Sequence, residues 1–371
     1  MKGANKFENE KIFLQKVFQK IEPGSEIISI DGSAACSVGD NYMSNVFRFN
    51  ISLQDGNNNI CEKHLLVKKL PTNEIWREAF GCELAFRNEA ISYNVVVEVL
   101  NKFRGEDKLP MPTCFHASVQ YTVLEDLKPL GFRMVERQLG LDLNHAKHAL
   151  KELGKFHGTS MAMKHSQPKL FADLISNIQE IAFLPEKEGP FVESISVSVR
   201  MATVGLKVLK ATGSDCFEAS LNKIQTFKQS AYMMLLHSIQ QRGKLSVICH
   251  GDFYLNNIMF KYAESGDVSE VMLIDLQTLR YASLSLDLLY FFTSSLRPGV
   301  LSSHFEELLE TYQTSLNKEL EKLAPAAPLV SLNEIYDELQ AHSSFGLIMG
   351  FLVLPAVTAL PENAFNIEEV N

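Results

Sequence analysis

Residues 250–257 read His250-Gly251-Asp252-Phe253-Tyr254-Leu255-Asn256-Asn257, and the chain comes back at 274–277 with Ile274-Asp275-Leu276-Gln277. The spacing H-x-D-x-x-x-x-N, followed 18 residues later (257 to 275) by another Asp, puts three oxygen-bearing side chains at strand ends. Short β-rich runs surround them at 245–249, 257–262 and 270–274, the last two joined by the turn Glu264-Ser265-Gly266-Asp267. Polar decoration of a surface hairpin is the competing reading, but the set matches the needs of phosphoryl transfer. There one Asp orients the acceptor hydroxyl and takes its proton, while an Asn and a second Asp hold the magnesium that bridges the nucleotide phosphates. Magnesium wants hard oxygen ligands and keeps several waters, so no His or Cys is required. Asp252 is therefore read as the base, and Asn257 and Asp275 as metal ligands.

Such a site also needs a cation on the phosphates, oriented by a carboxylate. Upstream, 46–53 and 64–69 read as strands around the turn Asp55-Gly56-Asn57-Asn58-Asn59, and Lys68 ends the second of them. Ala85, Ala90, Ile91, Val95 and Val99 recur at helical spacing, which predicts one long helix over 74–102 carrying Glu89, before Leu109-Pro110-Met111-Pro112 breaks it. Lys68 and Glu89 are the expected pair. Lys69 competes for the role, yet neighbours on a strand leave by opposite faces and only one of the two reaches the nucleotide. The turn Gly39-Asp40-Asn41-Tyr42-Met43-Ser44, with Asn41 and Ser44, is the candidate phosphate cover. Two further strands, 114–119 and 121–125, lead into the connector Asp126-Leu127-Lys128-Pro129-Leu130-Gly131.

Beyond that connector the pattern is mostly helical, as over 144–163 and much of 170–240. The expected fold is α+β with two lobes: a small N-terminal sheet with its long helix, then a larger helical lobe. Hydrophobic residues make up 46% of the 371, enough for two packed cores. Lys and Arg number 35 against 44 Asp and Glu, so the net charge of −9 argues against a nucleic-acid partner. Six cysteines without a C-x-x-C pair suggest neither a disulfide framework nor a zinc ribbon, and a reducing, cytoplasmic setting is expected. Ile12, Phe13, Val17 and Ile21 predict a short amphipathic helix, and charges interrupt every apolar run of the first twenty residues, so no signal-peptide core forms. Residues 345–360 are strongly apolar but fall short of the roughly 18 that argue for a membrane span; a buried core helix is expected and no stable membrane insertion.

Weaker combinations carry nothing. His145 and His148 near Asp142 lack a fourth metal ligand, and Cys249 and His250 leave a strand by opposite faces.

Taken together these stretches resemble the ecdysteroid kinase-like proteins, also called CHK kinase-like, in the aminoglycoside phosphotransferase and choline kinase group of the protein kinase-like fold. The carriers are the 39–44 turn, Val67-Lys68 with Pro71, 86–93, Leu124-Glu125-Asp126-Leu127, Leu153-Gly154-Lys155-Phe156-His157-Gly158, the 250–257 loop with Asn256-Asn257-Ile258-Met259-Phe260, and Asp275-Leu276-Gln277. The resemblance implies ATP and Mg2+ as cofactors. It divides the chain into a nucleotide-binding lobe (1–125), a hinge (126–131) and a catalytic and substrate-binding lobe (132–371). Asp126 and Leu127 would meet adenine through backbone groups, Asp287 would prop the catalytic loop, and His250 would be scaffold.

The implied acceptor is a hydroxyl of an ecdysteroid or another small lipophilic alcohol or xenobiotic. A catalytically inactive ligand-binding module on the same fold is the alternative, and the oligomeric state stays open. Relatives often have Phe, Trp and Pro where this chain has Leu276, Tyr254 and Leu284, and its end at 363–371 comes earlier than expected for the family. None of these departures removes a catalytic group.

Overall fold

In a computed structural model of the chain, in which residues 7–35, 44–185, 190–211, 218–227 and 230–358 are described, the buried apolar side chains form two clusters, a small one between α1 (Glu8–Ile21) and the N-terminal sheet and a large one that fills the second lobe and takes in Tyr93, Val96, Leu100 and Leu124 of the first. The first lobe runs α1 (Glu8–Ile21), β1 (Glu26–Ala34), β2 (Asn45–Gln54), β3 (Ile60–Lys69), α2 (Glu74–Phe80), α3 (Cys82–Ile91), α4 (Glu98–Arg104), β4 (Cys114–Ala117) and β5 (Tyr121–Glu125). Its five strands form an antiparallel sheet in the order β1-β2-β3-β5-β4. Alternation along β2 and β3 sends Phe49, Ile51, Leu65 and Val67 into a core closed by Leu14 and Phe18 of α1. Asp55 makes the hairpin turn by accepting the N–H groups of Asn57 and Asn59.

The second lobe holds α5 (Leu143–Ser166), α6 (Pro168–Ser176), α7 (Pro190–Ala211), α8 (Glu218–Phe227), α9 (Ala231–Gln240), β6 (Ser246–Cys249), β7 (Ile258–Tyr262), β8 (Val268–Leu273), β9 (Arg280–Ser283), α10 (Ser285–Ser294), α11 (Val300–Leu323), α12 (Leu332–Ala341) and α13 (Ser343–Thr358). The strands pair as two ribbons, β6 with β9 and β7 with β8. Between them they carry both halves of the polar constellation. The two-lobed α+β architecture expected from the sequence is what forms.

Several elements differ from expectation. The long helix over 74–102 is broken at Gly81, whose φ of 63° is left-handed, and is wound as a π turn over Ser92–Val97. Wider winding shifts the phase of the apolar face, so a single 3.6-residue period does not hold across it. In α1 the buried side chains are Leu14, Val17 and Phe18, while Ile12 and Ile21 are exposed, so the apolar face is rotated from the one predicted. β1 and β9 were not expected. α13 is the apolar helix near the C-terminal end, with Phe345, Ile348 and Met349 buried. Among the described residues no helix is long and apolar enough to cross a membrane.

Candidate active site

Lys68 and Lys69 show what strand alternation does to two identical side chains. Lys68 is buried, with Nζ 2.6 Å from Glu89 Oε1 and 3.0 Å from Asp275 Oδ1. Lys69 leaves by the other face, 3.7 Å from Glu10 and over the ring of Tyr121. Burial alone would lower the Lys68 pKa, but the carboxylates of Asp275 and Glu89 outweigh it and hold the ammonium charged. Glu89 is fixed in turn by Thr122, whose hydroxyl donates to Oε2 at 3.1 Å.

The helix that brings Glu89 also holds the loop after Asp275. Asn88 Nδ2 donates to the carbonyls of Gln277 and Leu279 at 2.7 and 3.3 Å, and Ser92 Oγ to that of Leu276 at 2.9 Å. Asp275 itself sits in the left-handed region (φ 66°, ψ 72°), a conformation that Asp tolerates better than most residues but still at a cost relative to Gly, so its surroundings must hold it there. Here those anchors and Lys68 impose it, and the result aims the carboxylate across the cleft.

On the facing loop, Asp252 is held at both oxygens. Tyr290 Oη donates to Oδ1 at 2.8 Å and Asn257 Nδ2 to Oδ2 at 2.8 Å. Burial, with the nearby charge of Asp275, raises the Asp252 pKa against the pull of those hydrogen bonds. Because the Asn257 amide nitrogen is spent on Asp252, its amide oxygen is left to serve a cation. Thus Asn257 and Asp275 offer oxygen donors only, a set that fits magnesium and would not fit a soft metal.

The backbone of the loop hangs on Asp287. Its carboxylate accepts the N–H of His250 at 2.6 Å and of Gly251 at 2.9 Å, and His157 Nε2 donates to it at 3.1 Å. Burial pushes this carboxyl up, but His157, His250 and the Gly251 amide overcome it and hold the pKa below the usual value. His250 is likewise committed: Nε2 donates to the Ile274 carbonyl at 3.0 Å, joining the two halves of the motif. Gly251 (φ 83°) passes so close to the next turn that a Cβ would lie 1.9 Å from the Thr278 carbonyl oxygen. Only glycine fits.

A cleft of about 920 Å³ lies between the lobes and is lined by Lys68, Asp252, Asn257, Asp275 and Tyr290. Val46, Leu66 and Leu124 of the sheet line it beside the hinge at 125–127, with Met259 and Ile274 from the ribbons. Asp126 uses its N–H on the His64 carbonyl (2.9 Å) and its side chain on Arg48 (2.9 Å), whereas the Leu127 N–H makes no hydrogen bond among the described residues. The helical lobe adds Phe183, Tyr290, Met349, Leu352 and Val353, an apolar and aromatic wall beyond Asp252.

Lys68, Glu89, Asp252, Asn257 and Asp275 are therefore brought together, and Asp126 and Leu127 border the same cleft. Ser44 stands just before β2, while Asn41 and the rest of the 39–43 turn lie outside the described residues. Sequence reasoning missed Tyr290 and Arg280. Tyr290 follows Asp287 by three positions on α10, a helical spacing that could have flagged it. His145 is occupied by Asp142 and Tyr262 at 2.7 and 2.9 Å, and Cys249 by backbone carbonyls.

The model of the ecdysteroid kinase-like family matches residues 38–324. The chain belongs to that family. Membership makes it a kinase-like small-molecule phosphotransferase by kind, and the lobes have the protein kinase-like arrangement. No curated protein matches the chain at a significant level. Among solved structures, the ethanolamine kinase Pv091845 of Plasmodium vivax is 13% identical over 89% of this chain and 82% of its own, with a TM-score of 0.35. The streptomycin-ATP-APH(2")-IIa ternary complex is 13% identical over 94% and 99%, TM-score 0.37. Aminoglycoside phosphotransferase APH(4)-Ia is 13% identical over 92% and 99%, TM-score 0.32. At such scores the likeness by itself decides nothing.

Proposed function

We propose that this protein is an ATP-dependent phosphotransferase acting on a hydroxyl of a small lipophilic alcohol, an ecdysteroid or a related xenobiotic. The observation that carries this reading is the convergence on one cleft of the Lys68–Glu89–Asp275 chain, the Asp252–Asn257 pair and an apolar wall. The hinge at Leu127 receives adenine. Lys68, kept charged and kept still by Glu89, binds the phosphate oxygens. Asn257 and Asp275 would hold Mg2+, which would supply positive charge against the phosphates.

Asp252 accepts the proton of the acceptor hydroxyl as its oxygen bonds to the γ-phosphorus and the bond to the ADP oxygen breaks. Its raised pKa brings it nearer to neutral pH, where a base has both the right protonation state and the drive to take a proton. Tyr290 and Asn257 fix the direction of that carboxylate. The wall formed by Phe183, Met349, Leu352 and Val353 favours a lipophilic acceptor, with no nucleic acid as partner. Cys61, Cys82, Cys114 and Cys249 are unpaired thiols, in keeping with a cytoplasmic setting.

The test is incubation with ATP, magnesium and a panel of hydroxylated lipophiles including ecdysteroids, with mass spectrometry for one added phosphoryl group. Transfer to at least one alcohol is expected. Magnesium-dependent ATP binding with no transfer to any of them would instead favour the inactive binding module.

A further inference from the structure

Arg280 opens β9 opposite Cys249, the residue before His250. Its side chain is only 4% exposed, although a guanidinium cannot give up its charge and so must find partners wherever it is buried. Glu180 is one. Nε lies 2.9 Å from Oε2, an ion-pair distance without hydrogen-bond angles, and Nη2 lies 3.5 Å from Oε1. That Oε1 also accepts the N–H groups of Ala182 and Phe183 at 2.8 and 3.0 Å, so the pair holds the segment that forms the acceptor wall. The Phe183 ring packs under the guanidinium, its centroid 5.3 Å from Cζ.

Nη1 is different. It makes no hydrogen bond among the described residues and, unlike Nε, it is not sealed from solvent. Arg280 lines the cleft with Asp252, Tyr290 and Phe183. A buried cation with an unpartnered donor thus lines a cleft whose helical-lobe side is mostly apolar, with Phe183, Met349, Leu352 and Val353 beside Ser194 and Tyr290. We infer that Arg280 determines acceptor specificity by donating to a neutral oxygen, a carbonyl above all, on the lipophilic molecule whose hydroxyl Asp252 serves.

Charge decides between a carbonyl and a carboxylate. Glu180 already balances Arg280, and Asp252 and Asp275 face the same cleft, so a second anion would be repelled while a ketone oxygen gains a charge-assisted bond. The inference rests on the phosphotransferase reading for the identity of the site, and it adds the polar feature of the substrate. Its measurement is independent of turnover.

Calorimetry of the full chain with ecdysone, which has a ring ketone, and with the analogue carrying methylene in its place gives the ratio of dissociation constants. Wild type is expected to prefer the ketone by roughly 10- to 100-fold, the range for one hydrogen bond to a charged group. Arg280→Met should abolish that preference while keeping the affinity for the methylene analogue. The Glu180→Gln/Arg280→Met double variant should behave alike and leaves no stranded charge to compromise folding.

Wild-type protein that binds both equally, or neither, overturns the inference, as does a double variant that keeps the preference. Phosphoryl transfer to both compounds, measured separately, separates the two readings. Equal KM values for the pair sink the Arg280 assignment alone, whereas a ketone preference without any transfer sustains Arg280 and sinks catalysis.

Discussion

Lys68→Met removes the cation from a carboxylate that has almost no other company. Glu89 is 2% exposed, and without Lys68 its remaining hydrogen-bond partner among the described residues is the Thr122 hydroxyl at 3.1 Å. Breaking a buried pair from one side costs about 3–5 kcal/mol, because the surviving charge stays out of water. Unfolding entropy of about 2.1 cal/mol/K per residue over 371 residues gives about 0.8 kcal/mol/K, so the melting temperature should fall by about 4–6 °C. Glu89→Gln added to Lys68→Met removes the stranded charge and keeps an amide for Thr122, so most of the loss should return. Turnover should not return, since no lysine meets the phosphates in either variant. Lys69→Met should cost less than about 1 kcal/mol, its ion pair with Glu10 being loose and solvent-sided. Scanning calorimetry and a phosphoryl-transfer assay on the three variants read this directly. A Lys68→Met protein melting with wild type, or a double variant no more stable than the single, would refute the reasoning. A damaging Lys69→Met beside a silent Lys68→Met would move the phosphate lysine by one residue.

Asp252→Asn can keep its place, with the amide oxygen accepting from Asn257 and the amide nitrogen donating to Tyr290, so nucleotide binding should persist while turnover falls roughly 10²- to 10⁴-fold; a wild-type rate would remove Asp252 from the base role. Asp275→Gly relieves a left-handed non-glycine residue and removes a carboxylate from the metal site. Calorimetry should therefore find ATP binding that no longer responds to magnesium, in a protein whose melting temperature has not fallen through backbone strain. Asp287 has a folded pKa held below its unfolded value, so it contributes stability that is complete above about pH 4 and is lost as pH falls through the folded value. Asp287→Asn should thus flatten the acid limb of a stability-versus-pH curve, and an unchanged limb would count against its anchoring of His250 and Gly251.

What the chain disclosed in advance was whatever local chemistry forces. A strand sends alternate side chains to opposite faces, so only one of Lys68 and Lys69 could reach the cleft; the place of Lys68 in its strand run and of Glu89 in the following helix pointed to the first, and the 250–257 spacing was readable from the oxygen chemistry that phosphoryl transfer needs. What stayed hidden depends on contacts far apart in sequence. β1, Glu26-Ile27-Ile28-Ser29-Ile30-Asp31-Gly32-Ser33-Ala34, is an edge strand with Ile27 as its one buried apolar residue, so it shows little alternation. The 74–102 stretch looked continuous because a glycine break and a π turn are invisible to a fixed helical period. Arg280 and Tyr290 belong to the site only because β9 pairs with β6 and α10 packs beside the loop, and a lone Arg or Tyr announces neither fact.

The same pairing keeps the proposed acceptor wall in register with the end of the cleft at Lys68 and Asp275. β9 lies against β6, so Arg280 is fixed relative to Cys249 and hence to the loop that starts at His250. Through Glu180 it also holds the backbone at Ala182 and Phe183, where the helical lobe meets the cleft. From the other direction Asn88 and Ser92, on the helix that brings Glu89 to Lys68, bond to the carbonyls of Leu276, Gln277 and Leu279, immediately before Arg280. The short run 275–280 therefore touches the proposed metal ligand, the helix behind Lys68 and the proposed acceptor wall in six consecutive residues. In-line transfer needs donor and acceptor oxygens placed on opposite sides of one phosphorus to within a fraction of an ångström. A segment that is hydrogen-bonded to both sides, with a strained Asp275 at its start, supplies that constraint through the backbone and leaves the long, flexible side chains to do the binding.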